Sequence, residues 1–176
     1  MNDEHKIGPQ QDTQECKENC ECTPDFIDGP IAIHKLTARD IRALVFHLLY
    51  AIDAHDYDTP LQSVVDNINR GFGLDLPFDH KVVTIAREIV QHREELDASY
   101  IPFLKNWRIE RVGICTKLVL RYAMWELLYT DIDTRIIINE AVELAKCFAE
   151  EDSHRFINGI LDRAAKALRK NKDTAE

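Results

Sequence analysis

The sequence predicts an all-α protein of about seven helices. Three observations carry this. Apolar residues recur at steps of three and four through most of the chain beyond residue 36, the spacing of one helical face. The periodic stretches open at residues suited to a helix start: Thr37, Asp58-Thr59-Pro60, Asp79, Asp131 with Asp133, and Asp152-Ser153. One stretch, Ile109 to Tyr129, is apolar around most of its circumference, so it must be central and contacted from several sides.

Residues 1–34 read as a flexible acidic extension. Pro9, Pro24, Gly29 and Pro30 interrupt any helix, and large apolar residues are scarce before Phe26. Eight acids stand against Lys6 and Lys17 in the first 33 residues, so most of the chain's net charge of −9 lies in this arm. That total argues against a nonspecific nucleic-acid binder but leaves room for a local basic face. Of the five cysteines, Cys16, Cys20 and Cys22 fall in the arm, Cys115 and Cys147 in helices. The arm spacing lacks paired C-x2-C knuckles, so no metal site is expected. An odd count in a reducing compartment argues against disulfides. No apolar run approaches the ~20 residues that span a bilayer. The N-terminus lacks the charged-then-apolar pattern of a signal peptide. A cytoplasmic protein without a membrane partner is expected.

The first helix starts at Thr37. Ile41, Leu44, Val45, Leu48, Leu49 and Ile52 form its inward stripe. At ~100° per residue, Arg39, Arg42, Phe46 and Tyr50 fall within about 80° of one another on the other side. Guanidiniums beside aromatic rings suit single-stranded RNA, since arginine pairs with phosphate and rings stack on bases. The competing reading is a solvated charged face whose rings are covered by a neighbouring helix. A short second helix spans residues 58–69, with Leu61, Val64, Val65 and Ile68 inward. A third runs from an Asp79 cap to about Leu96, with Val82, Ile85, Ala86, Ile89 and Val90 as its stripe. A fourth short segment covers Ala98 to Trp107. The central helix follows, carrying Arg121 in an apolar setting that suggests a structural arginine paired with Glu126 or Glu140. Two amphipathic helices then meet at the polar corner Glu150-Glu151-Asp152-Ser153-His154. Gly159, inside the last of them, suggests close approach of a neighbouring helix. The basic residues Arg163, Lys166, Arg169, Lys170 and Lys172 near the end suit a helix C-terminus.

The last hairpin holds Ile138-Asn139-Glu140-Ala141-Val142-Glu143-Leu144-Ala145-Lys146, then Asp152-Ser153-His154-Arg155-Phe156, then Ile157-Asn158-Gly159-Ile160-Leu161-Asp162. This gap-free run, rich in polar positions that a generic helix would not repeat, resembles the NusB family of transcription antitermination factors. Weaker resemblance extends back to about Lys35. It implies two packed three-helix bundles, with residues 35–97 as an N-terminal and 98–172 as a C-terminal subdomain. It further implies an RNA-binding adapter of the transcription elongation complex. Such a protein takes boxA-like single-stranded RNA together with the NusE-type small-subunit ribosomal protein and supports ribosomal RNA synthesis by RNA polymerase.

Carried over by position, the resemblance implies RNA contacts at Arg39, Arg42, Tyr50, Asp152 and Phe156, and partner contacts at Tyr50 and Thr116. Two departures stand out. Ala38 and Asp40 replace arginines common in the family, and Thr116 stands where a family acid usually helps the partner contact. These departures, with the acidic arm, favour an alternative: a helical protein-interaction module with weak or lost RNA binding. The arm itself reads either as a solubilising extension or as a cover that competes with RNA. Family members occur as monomers and as homodimers.

No catalytic motif is found: no phosphate-binding glycine loop, no H-E-x-x-H and no G-x-S-x-G. Glu140 and Glu143 lack the Glu-x-x-His pairs that carboxylate bundles need. A non-enzymatic protein without cofactor is expected.

Overall fold

Among the described residues there are seven α-helices: α1 Ala38–Ala54, α2 Leu61–Phe72, α3 Lys81–Gln91, α4 Arg93–Tyr100, α5 Ile114–Tyr129, α6 Thr134–Phe148 and α7 Ser153–Asp173. Short 3-10 turns at Ile33–Lys35, Ile101–Phe103 and Ile109–Arg111 connect them, and no strand occurs among the described residues. The structure, a computed structural model, describes residues 33–104 and 108–173, with side chains through Leu168. The expectations for residues 1–32, for Trp107 and for the charges at Arg169, Lys170 and Lys172 lie outside the described residues or side chains.

Helix starts follow local chemistry. The Thr37 side chain accepts from the Asp40 backbone N–H at 3.2 Å, and Asp40 accepts from the Thr37 N–H at 2.7 Å. This reciprocal box closes two free donors of α1. The Asp133 side chain accepts from the Arg135 N–H at 2.8 Å and opens α6 as its position predicts. The third helix departs from expectation. Its cap is His80, not Asp79, with the ring accepting from the Val82 N–H. It also ends at Gln91, where His92 separates α3 from α4. After α2, Gly73 takes the left-handed conformation with φ +62, which ends the helix without a Cβ penalty. Asn69 then clamps the returning chain, bonding both the N–H and the carbonyl of Leu76.

Helices α2, α3, α5 and α6 all pack on α1, and α5 is gripped by α1, α3, α4, α6 and α7. One hydrophobic cluster runs from Ile41 to Ala164 through every α-helix. The central place of α5 agrees with its apolar circumference. That of α1 was not expected: Arg42, Ala43 and Phe46 are buried along with the predicted stripe. Each large side chain so enclosed contributes ~1.5–3 kcal/mol.

The half-buried arginine of α5 finds partners other than those predicted. Arg121 donates to both Asp97 oxygens at 2.7 Å and to the Tyr57 hydroxyl at 2.7 Å, with Asp53 at 3.7 Å. Asp56 and Tyr57 adopt positive φ in the turn after α1, which brings the Tyr57 hydroxyl to Asp53 and Arg121. Burial and the hydrogen bond to Asp53 push the Tyr57 hydroxyl up to about 12. Among the described residues, a Cβ at Gly159 would meet no neighbouring helix within 4 Å, only the Arg163 side chain of its own helix at 3.6 Å. Cys115 is a free thiol, and the expectation for Cys16, Cys20 and Cys22 lies outside the described residues. No helix among the described residues is long and apolar enough to cross a membrane.

Candidate nucleic-acid interface

The sequence-predicted residues gather around α6, at two stations. Arg39 and Arg42 meet the middle of α6 at Glu140, with contacts of 3.5 and 3.6 Å. Farther along, Phe46 stacks on Phe148 at the end of α6, with ring centroids 4.7 Å apart. Helices α1 and α6 therefore run in the same direction. Tyr50, one turn beyond, stacks on Phe46 at 6.5 Å and is 46% exposed. Nine residues of helix separate Glu140 from the corner, a distance of about 14 Å. Tyr50 thus lies toward the corner that carries Asp152 and Phe156, and the arginines lie well short of it.

Arg42 does not face solvent. It is 6% exposed, and its guanidinium spans Glu126 at 2.9 and 3.0 Å and Glu140 at 3.6 Å. The expectation of an RNA contact at Arg42 is corrected: α6 and α5 close over that side of α1, and the cation is consumed by their carboxylates. The carboxylates predicted for Arg121 serve Arg42 instead. Burial raises the Glu126 pKa, Arg42 opposes this, and Glu140 adds to it. Phe46 is likewise corrected from a surface ring to a core ring, 3% exposed. Arg39 keeps 40% of its side chain exposed while touching Glu140.

At the corner, the chain turns through Asp152 with φ +63, and Ser153 Oγ donates to the Glu150 carbonyl. The Asp152 carboxylate is exposed and meets Arg155 at 3.5 Å. Asp152, Ser153 and Phe156 line a cleft of about 280 Å³ whose other wall is Arg111, Gly113 and Thr116 at the start of α5. Glu150 reaches into it. Its Oε2 accepts from Thr116 Oγ1 at 2.6 Å, and its Oε1 occupies the space that a side chain at Gly113 would need. Thr116 is 3% exposed and its hydroxyl is committed, so the expected direct partner contact at Thr116 is corrected. The carboxylate at that place belongs to Glu150, which sequence spacing could not reveal because it lies 34 positions away.

Among the described residues, no group of three or more His, Cys, Asp or Glu is placed to hold a metal ion; the arm cysteines lie outside them. What the site offers is one exposed aromatic ring, a partly buried ring at Phe156, a shared guanidinium at Arg39, and an acidic cleft. These are groups for recognition by stacking and charge.

Fold and face together define an all-helical recognition domain. The NusB family model matches residues 39–166, and the chain belongs to the NusB family. Among curated relatives it is 35% identical over 145 residues to the transcription antitermination protein NusB of Helicobacter hepaticus, covering 80% of this chain and 88% of that protein. It is 32% identical over 132 residues to NusB of Staphylococcus aureus, covering 74% and 100%. Among solved structures, T. maritima NusB superposes with a TM-score of 0.63 at 30% identity, covering 75% of this chain and 92% of that one. A chain in the crystal structure of a plectonemic RNA supercoil shares the fold, with a TM-score of 0.62 at 24% identity over 73% of this chain and 93% of that one.

Proposed function

We propose that this protein is an RNA-binding transcription antitermination adapter. It takes boxA-type single-stranded RNA together with a NusE-type ribosomal protein and supports ribosomal RNA transcription within the RNA polymerase elongation complex. The observation that carries the reading is the ring stack Tyr50–Phe46–Phe148, which presents Tyr50 at the surface toward the corner of Asp152 and Phe156. Bases stack on Tyr50 and Phe156, Arg39 supplies a phosphate contact, and Asp152 accepts from base or ribose donors. The partner protein meets Tyr50 and the Glu150 carboxylate, which Thr116 holds in place. Titrating a boxA-like RNA with and without the NusE-type protein tests this: affinity should rise with the partner and fall with salt. Salt-insensitive or absent RNA binding in both arms would refute it.

The alternative, a protein-interaction module with weak RNA binding, is favoured by one specific observation. Of the two arginines expected at the surface, Arg42 is locked into the core and Arg39 is shared with Glu140. On that reading the partner binds at full strength without RNA.

A further inference from the structure

Two asparagines of the polar motif find no use in the fold. Asn139 on α6 and Asn158 on α7 are exposed, and neither side chain makes a hydrogen bond or ion pair among the described residues. They line one groove of about 470 Å³ between the two helices. Arg135 stands at one end, and its guanidinium forms no ion pair among the described residues; Arg155 stands at the other. Ile138 and Val142, both half-buried, form the floor.

We propose that this groove is a second docking surface for single-stranded RNA, continuing the strand beyond the corner of Asp152 and Phe156. The inference rests on the RNA-binding reading above and extends it to a face that the predicted site residues do not touch. Three features select RNA as the occupant. The unpaired cation at Arg135 and the weakly paired one at Arg155 face phosphate-sized space in a chain of net charge −9. An exposed amide carries two donors and an acceptor, enough to read a base edge, and the aliphatic floor gives a base a surface to lie on. The groove also begins where the candidate interface ends. Arg155 lines it and touches Asp152, while Asp152, Ser153 and Phe156 line the cleft on the other side of the α7 start. The acid in the groove, Asp162, is held by Lys166 at 2.6 Å. From Arg135 to the end of α6 is about 20 Å, so a strand occupying both clefts must be several nucleotides long.

The test uses the full chain and fluorescence anisotropy. Its probes are a long single-stranded boxA-like RNA and a short one that can cover only the corner. Arg135→Ala should weaken the long RNA about three- to tenfold and lower its log–log salt slope by about 0.7, the loss of one phosphate contact on a single strand. Asn139→Ala with Asn158→Ala should reduce discrimination among base sequences in the long RNA. Both variants should bind the short RNA as the parent does and melt within a degree or two of it, because the residues are exposed. Parental binding of both RNAs by both variants overturns the groove and leaves the corner reading intact. No RNA binding by the parent itself overturns both. A change in sedimentation with unchanged RNA affinity would assign the groove to a second copy of the chain and likewise overturn the inference.

Discussion

Arg42 and Arg39 sit one helical turn apart on α1 and meet opposite environments. Removing Arg42 leaves Glu126 buried and unpaired, so Arg42→Ala should cost about 3–5 kcal/mol in urea unfolding. Arg39→Ala should cost at most about 1 kcal/mol, since its contact with Glu140 is 3.5 Å long and part-exposed. Its effect belongs to RNA: the log–log salt slope of binding should fall by about 0.7, one phosphate contact on a single strand. If Arg42→Ala instead left stability unchanged and abolished RNA binding, the surface role first expected for it would return. At the same scale, burial lowers the pKa of His47, whose ring lies between Phe72 and Phe148 with centroids 5.1 Å away. A histidine depressed in the folded state gives up stability as pH falls below its unfolded value of 6.5, because the unfolded chain then binds the extra proton. The His47→Phe variant should therefore gain thermal stability relative to the parent as pH is lowered from 6.5 to 5, and show no such trend above 7. The difference between the two proteins is the quantity to follow, because Glu126, whose pKa is raised, acts in the opposite sense just above 4.5.

Helix ends are the level at which local sequence speaks most clearly. Thr37 and Asp40 form the capping box of α1, so Thr37→Ala should cost about 1 kcal/mol of stability by loss of the cap. Asp40, which thins the arginine patch when compared with the family, has that structural task. The start of α5 is different, because its chemistry arrives from another element. Gly113 has no side-chain cap, and the Glu150 carboxylate from the corner fills the space beside it. Gly113→Ala would place a Cβ 1.5 Å from Glu150 Oε1. The carboxylate, the far end of a flexible side chain, must swing away and lose its bond to Thr116 at a cost of about 1 kcal/mol. Thr116→Val loses the same bond, so the double variant should be less destabilised than the sum of the two. Strict additivity in a double-mutant cycle would show that Glu150 does not link them.

For the whole molecule, the all-helical character, the central place of α5 and the corner before α7 were legible in the sequence. Periodicity and cap residues are properties of neighbours in the chain, and a hydrophobic face must be buried wherever it occurs. The polar motif of the last hairpin likewise identified the family that the match over residues 39–166 shows. What was not legible is which neighbour covers which face. The charged side of α1 looked solvated because its sequence says nothing of α6, which lies some hundred positions away and brings Glu140 and Phe148 against it. The same gap assigned Glu126 and Glu140 to Arg121, when Asp97, Asp53 and Tyr57 hold that cation. It also hid Glu150 behind Thr116. By itself the sequence determined most of the helices, their order and the residue types available for recognition, because these depend on spacing of a few positions, but not the break at His92 that divides α3 from α4. Only the tertiary structure decided which charges reach water, because burial and ion pairing are made between elements distant in the chain, where packing rather than periodicity selects the partner.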